Sequence, residues 1–183
     1  PQFQELYVRW MQYALFCPVF RSHGADAPRE IYQFGKKGEP TFDAIEKTIR
    51  FRYQLLPYLY STAWQVTNNN ESYMRALVYD FPNDKREWDM NDEFLFGQSI
   101  LATPIVAPQY TTEKIVRESA YSGWEKKEAK DNPLANVDFT QTKTATKYLP
   151  KGANWYDFWT EKFYKGGQDV TIETTFDQGP MFV

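Results

Sequence analysis

The chain is poor in the residues that most often build metal and nucleophilic sites. Among 183 residues there is one cysteine, Cys17, and one histidine, His23. A lone thiol leaves no internal disulfide to form and gives no indication of compartment. One Cys and one His cannot furnish a Cys/His zinc site within the chain. A Ser-His-Asp triad would have to use His23, and no Gly-x-Ser-x-Gly element is present. Neither standard Gly-rich phosphate loop occurs. An excess of one charge is also missing. Lys and Arg number 21 against 24 Asp and Glu, for a net charge of −3, and this offers no general electrostatic case for nucleic acid. No apolar run reaches the ~18 residues of a membrane span.

Aromatic residues, in contrast, are plentiful: 14 Phe, 13 Tyr and 6 Trp make up 18% of the chain. Large flat side chains serve both packed cores and carbohydrate sites. The remaining composition, 42% hydrophobic and 25% charged, is that of a globular protein and excludes disorder, collagen-like repeats and a disulfide scaffold. The length suits one domain or two small ones. The chain opens at Pro1 without an initiator Met and closes on the apolar run Gly179-Pro180-Met181-Phe182-Val183. Together these ends read as a piece cut from a longer protein.

Periodicity divides the chain into two parts. Residues 4–16 read as a helix with Leu6, Trp10, Met11, Ala14 and Leu15 on one face. Residues 17–21 read as a short buried strand opened by Pro18. A helix pattern runs from about 42 to 66, capped by Thr41 or Asp43, with a kink expected near Leu56 ahead of Pro57 and a stop at Asn68-Asn69-Asn70. Residues 73–79 read as a second buried strand. Helix, strand, helix, strand implies α/β with parallel strands. Beyond a boundary near 82–92, apolar β-rich residues 94–107 and short β-like pieces at 146–149, 154–159, 169–174 and 180–183 suggest an all-β module. Gly166-Gly167 would form a turn between two of these pieces.

Few residues carry chemistry. His23 lies two residues past the first expected strand, where active-site residues sit in parallel α/β barrels; a surface-loop histidine is the other reading. Paired carboxylates are what a glycosidase needs, but Asp80, Asp84, Asp89, Asp92 and Glu93 fall in a turn-rich connector and read as solvated loop carboxylates and an N-cap. Arg21 and Arg75 sit inside apolar strand segments, where each would need a carboxylate partner. Asn154-Trp155-Tyr156-Asp157-Phe158-Trp159 reads either as a sugar-stacking platform or as a sandwich strand. In the strand reading, Trp155, Asp157 and Trp159 face one way and Tyr156 and Phe158 the other.

Several motifs in order give the chain a family resemblance. These are Glu5-Leu6-Tyr7-Val8-Arg9-Trp10-Met11-Gln12-Tyr13, Pro18-Val19-Phe20-Arg21-Ser22-His23-Gly24, Arg52-Tyr53-Gln54-Leu55-Leu56-Pro57-Tyr58, Met74-Arg75-Ala76-Leu77, Phe94-Leu95-Phe96-Gly97, Ala102-Thr103-Pro104-Ile105-Val106 and Trp155-Tyr156-Asp157-Phe158-Trp159-Thr160. Together they resemble glycoside hydrolase family 31, the α-glucosidases and α-xylosidases, over nearly the whole chain apart from an insertion at about 109–145.

The resemblance implies α/β plus all-β architecture: the last two β/α units of a (β/α)₈ TIM barrel at 1–86, then an antiparallel β-sandwich at 87–183. It implies a retaining α-glycosidase that needs no metal or organic cofactor and whose catalytic Asp pair lies upstream, so that no catalytic residue is in this chain and the chain alone is inactive. It also implies substrate binding by His23, at hydroxyls of the −1 sugar, supported by Arg21. The partners implied are an α-xyloside or α-glucoside substrate and the rest of the barrel. The stretch Pro28-Arg29-Glu30-Ile31-Tyr32-Gln33-Phe34-Gly35 looks closest to the α-xylosidase-like branch acting on xyloglucan-type oligosaccharides, with α-glucosidase as the alternative. A secreted or periplasmic setting is the family lean. A non-catalytic carbohydrate-binding module and a purely structural fragment are the rival readings.

Overall fold

The computed structural model describes residues 1–24, 28–111 and 137–183. Most of the expected 109–145 insertion lies outside the described residues. Three helices come first: α1 (Gln2–Ala14), α2 (Pro40–Gln54) and α3 (Leu56–Asn69). The long helix pattern breaks where proline requires it. Leu55 is shared between α2 and α3, and Pro57 stands in the first turn of α3, where its missing N–H has no partner to lose. Asn70 ends α3 in the left-handed conformation, with φ 57°, which asparagine tolerates better than most residues. Neither Thr41 nor Asp43 caps α2. Its N-cap is Glu39 followed by Pro40, and Asp43 instead accepts the Gly38 N–H at 2.9 Å.

The buried stripe of α1 differs from the expected one. Glu5, Val8, Met11, Gln12 and Leu15 point inward, whereas Leu6 and Trp10 are 53% and 62% exposed. Both stripes satisfy helical spacing, and the choice between them was made by the partners α1 meets, α2 and the segment around Gln109.

The two expected parallel strands are not formed. Residues 17–21 take no ladder partner among the described residues and lie largely exposed as turns and extended chain. Of residues 73–79, only β1 (Met74–Ala76) is strand, and it runs antiparallel to β2 (Phe94–Phe96) before Leu77–Asp80 turns into a one-turn helix, α4. The physical reason is edge satisfaction: a parallel strand needs neighbours to take its N–H and C=O groups, and β1 finds its neighbour in a later hairpin.

That hairpin is β2 with β3 (Ile100–Ala102), and β8 (Met181–Phe182) completes a four-stranded antiparallel sheet in the order β1-β2-β3-β8. Two further ribbons pair β4 (Lys143–Leu149) with β7 (Gln168–Thr174), and β5 (Asn154–Tyr156) with β6 (Phe163–Lys165). Gly166 and Gly167 connect β6 to β7.

Alternation along the strands makes the four-stranded sheet a middle layer. One face, with Leu95, Leu101 and Phe182, packs with Leu149, Trp155, Val170 and Ile172 of the ribbons. The other, with Phe96, Ile100, Ala102 and Met181, packs against Leu15, Phe16 and Leu59 of the helical part. A third cluster joins Val8, Met11, Ala44 and Ile45 of α1 and α2 to Phe34 and Phe176. Among the described residues no helix is long and apolar enough to cross a membrane.

Candidate functional site

The segment leaving α1 carries Arg21 and His23, and three side chains fix its path. The Arg52 guanidinium donates to the carbonyls of Leu15 (2.6 Å), Cys17 (2.8 Å) and Pro18 (3.1 Å), and lies 5.8 Å from the Phe20 ring centroid. These bonds satisfy carbonyls that a sheet would otherwise have taken. Arginine suits the task because its planar fork presents several donors in fixed geometry. Burial pushes the Arg52 pKa down, yet the group stays charged because its starting value is so high.

Tyr7, from the second turn of α1, sets the next point. Its hydroxyl is 2.6 Å from Ser22 Oγ and 2.9 Å from the Arg29 carbonyl. One proton serves only one acceptor, so Tyr7 donates to the carbonyl and accepts from the Ser22 hydroxyl. Arg29 in turn donates to the His23 carbonyl at 2.7 Å. The backbone of residues 22–23 is thereby held from both sides while the imidazole stays exposed.

Arg21 Nη2 lies 3.1 Å from His23 Nδ1. A guanidinium can only donate, so Nδ1 must accept, and the neutral ring carries its proton on Nε2. No described residue bonds Nε2. The pair presents an oriented N–H donor on one side and a cation beside it, which is an arrangement able to hold hydroxyl groups. The sequence-based expectation of a carboxylate partner for Arg21 is not met: Arg21 is exposed and bonds the imidazole instead. The same expectation holds for Arg75, which pairs with Asp80 through Nε (2.9 Å) and Nη2 (3.2 Å).

The connector carboxylates are not all solvated. Asp89 is exposed, but Asp84 is 8% exposed and caps the turn Lys85–Trp88 by accepting the Arg86 N–H. It also accepts the Tyr148 hydroxyl (2.7 Å) and the Lys151 N–H (2.9 Å). Burial would raise its pKa, and these bonds outweigh burial and hold the carboxyl below its ordinary value. Burial, with Asp84 next, pushes the Tyr148 hydroxyl up to about 12.

Glu87 and Glu93 behave in the opposite way. Both Glu87 oxygens and Glu93 Oε2 are buried without a hydrogen-bond partner among the described residues, and each carboxyl is pushed up to about 7, chiefly by burial. The buried Lys147 ammonium is taken by Asp92 at 2.8 Å. Sequence reasoning missed Glu87; its one signal was an acid before Trp88 within a capped turn. Among the described residues no group of three or more His, Cys, Asp or Glu could hold a metal ion.

The aromatic run 154–159 is mainly structural. Trp155 and Asp157 are buried and Tyr156 is half exposed, as strand alternation requires, but the strand ends at Tyr156. Asp157 then caps the following turn by accepting the N–H groups of Trp159 and Thr160, both at 2.9 Å.

Comparison with known proteins gives this geometry a context. The family model described as the glycosyl hydrolases family 31 TIM-barrel domain matches residues 1–62, and that of the glycosyl hydrolase family 31 C-terminal domain matches residues 70–138 and 132–183. An alpha-xylosidase of Saccharolobus solfataricus is 32% identical over 99% of this chain and 20% of its own length. Alpha-glucosidase 2 of Bacillus thermoamyloliquefaciens is 33% identical over 98% of this chain and 18% of its own. Among solved structures, a GH31 alpha-xylosidase from Xanthomonas citri superimposes with a TM-score of 0.75 at 32% identity, covering all of this chain and 16% of that one. The chain spans about a fifth of the length of the curated relatives it matches.

Proposed function

Since the chain belongs to glycosyl hydrolase family 31, we propose that it serves a retaining α-glycosidase, contributing the substrate-binding pair His23 and Arg21 to a pocket completed by the rest of the catalytic barrel. The observation that carries this reading is the Arg21–His23 contact, which leaves His23 Nε2–H as an oriented donor on an exposed, triply anchored segment. Such a donor bonds a sugar hydroxyl, and the bond strengthens as the ring distorts toward the oxocarbenium-like transition state. Arg21 acts through His23 by fixing its tautomer and orientation. Within this architecture we assign the first part of the chain to the end of a (β/α)₈ barrel and the second to a β-sandwich. Of the substrates, we favour α-xylosides of the xyloglucan type. Support comes from the similarity to alpha-xylosidases in both sequence and structure. The alpha-glucosidase relatives make α-glucosides the second reading.

The test is kinetic, in the full-length enzyme. His23→Ala should lower kcat/KM on an aryl α-xyloside by about 10²-fold or more, the scale of one lost transition-state hydrogen bond. Arg21→Ala should lower it less. Near-normal kinetics for His23→Ala would overturn the assignment.

A further inference from the structure

A shallow groove of about 570 Å³ runs between α2 and the turn that follows β5, lined by Phe51 and Trp159 together with Asp43, Glu46, Lys47, Arg50 and Gln54. Its volume is that of a small-molecule site. We propose that this groove binds a neutral oligosaccharide, with the Phe51 and Trp159 rings as the apolar wall and the polar groups of α2 as hydrogen-bonding partners. That the ligand is a saccharide rests on the reading above, with maltotriose as the probe of its α-glucoside alternative; the site itself involves neither His23 nor Arg21.

Two observations argue for it. First, the wall is fixed before any ligand arrives. The two rings meet with centroids 5.1 Å apart, and the indole is held by Trp159 Nε1 donating to the Gly179 carbonyl at 2.8 Å. Ordering costs on binding are therefore small. Second, two of the three cations lining the groove, Lys47 and Arg50 but not Lys37, are already matched. Lys47 is taken by Asp177 (2.7 Å) and Gln178 (3.1 Å), and Arg50 by Glu46 through Nε (3.0 Å) and Nη2 (2.6 Å). An anion at Lys47 or Arg50 would have to compete with those carboxylates. A neutral ligand that offers hydroxyls to the remaining donor and acceptor positions, and C–H faces to the rings, does not.

The experiment titrates the ¹⁵N-labelled full-length enzyme with maltotriose and, separately, inorganic phosphate, following the Trp159 indole N–H signal. The expected result is a saturable maltotriose shift with a Kd of about 1–10 mM. The Arg50→Ala/Gln54→Ala variant, changed only at exposed positions, should weaken it by about fivefold or more while the other indole signals stay in place. No saturable shift at about 50 mM, equal affinity in the double variant, or phosphate binding as tightly as maltotriose would each overturn the proposal. A maltotriose response confined to residues 21–24 would overturn it while leaving the His23 assignment standing.

Discussion

Replacing Glu87 by Gln should stabilise the protein at alkaline pH and leave it unchanged in mild acid. Glu87 is 2% exposed, and neither of its oxygens has a hydrogen-bond partner among the described residues. Burial first, then repulsion from Asp84, lifts its carboxyl from 4.5 to about 7 against a weak opposing pull from Arg86. A carboxyl whose folded pKa is raised binds its proton more tightly folded than unfolded. Its contribution is therefore fully present below about 4.5 and is lost as pH rises through about 7. A shift of that size corresponds to about 3 kcal/mol of stability lost by pH 8. Glu93 adds to the same trend. It too reaches about 7, raised by burial, Asp92 and Glu87 and lowered by Lys147 and the Tyr148 N–H. The two are near enough to couple, so removing Glu87 also eases the ionisation of Glu93, and the effects will not simply add. Asp84, Asp169 and Asp177 are shifted down and contribute stability that is lost in acid, which places the maximum near pH 5. Urea unfolding followed by tryptophan fluorescence at pH 4.5, 6 and 8 measures this directly. Glu87→Gln should gain roughly 2–3 kcal/mol at pH 8 and close to nothing at pH 4.5. A wild-type stability that rises from pH 5 to 8, or a variant offset that is the same at every pH, would refute the reasoning.

Three further outcomes follow from single contacts. Arg52→Ala removes donors from three carbonyls and should cost about 2–4 kcal/mol, with hydrogen exchange rising first across residues 15–23. Gly97→Ala puts a Cβ into the Tyr58 hydroxyl at a residue with φ +59°, where Tyr58 also donates to Phe96 O at 2.7 Å; a loss of about 2–3 kcal/mol, read as a fall in Tm, is expected. Glu5→Ala leaves the N–H groups of Gln109, Tyr110 and Thr111 and the buried Arg9 without their carboxylate. That should destabilise by about 3–5 kcal/mol, and Glu5→Gln by less.

Much of the local structure could be read from residues that act on their own backbone. Pro57 divides α2 from α3 because it lacks an N–H, and the asparagine run ends α3 because Asn70 accepts the left-handed conformation. Gly97 joins β2 to β3, and Gly166-Gly167 joins β6 to β7, for similar reasons. The ordered motifs identified the family, and they drew attention to His23 and Arg21. What misled was pattern without partner. Leu6 and Trp10 fit a helical face as well as Glu5, Val8 and Gln12 do, yet α1 buries the latter, because Glu5 meets the N–H groups of residues 109–111 about a hundred positions away.

The sequence by itself determined the three long helices, the break between α2 and α3, most of the short strands of the second half and the family, because each depends on dihedral preference or on several neighbouring residues read together. Only the tertiary structure decided that residues 17–21 would not be strand, that β1 would pair antiparallel with β2, that Glu87 and Glu93 would be buried, and that Arg21 would face an imidazole. Each of these outcomes depends on which distant group satisfies a hydrogen bond or removes water, and neither event leaves a trace in local spacing.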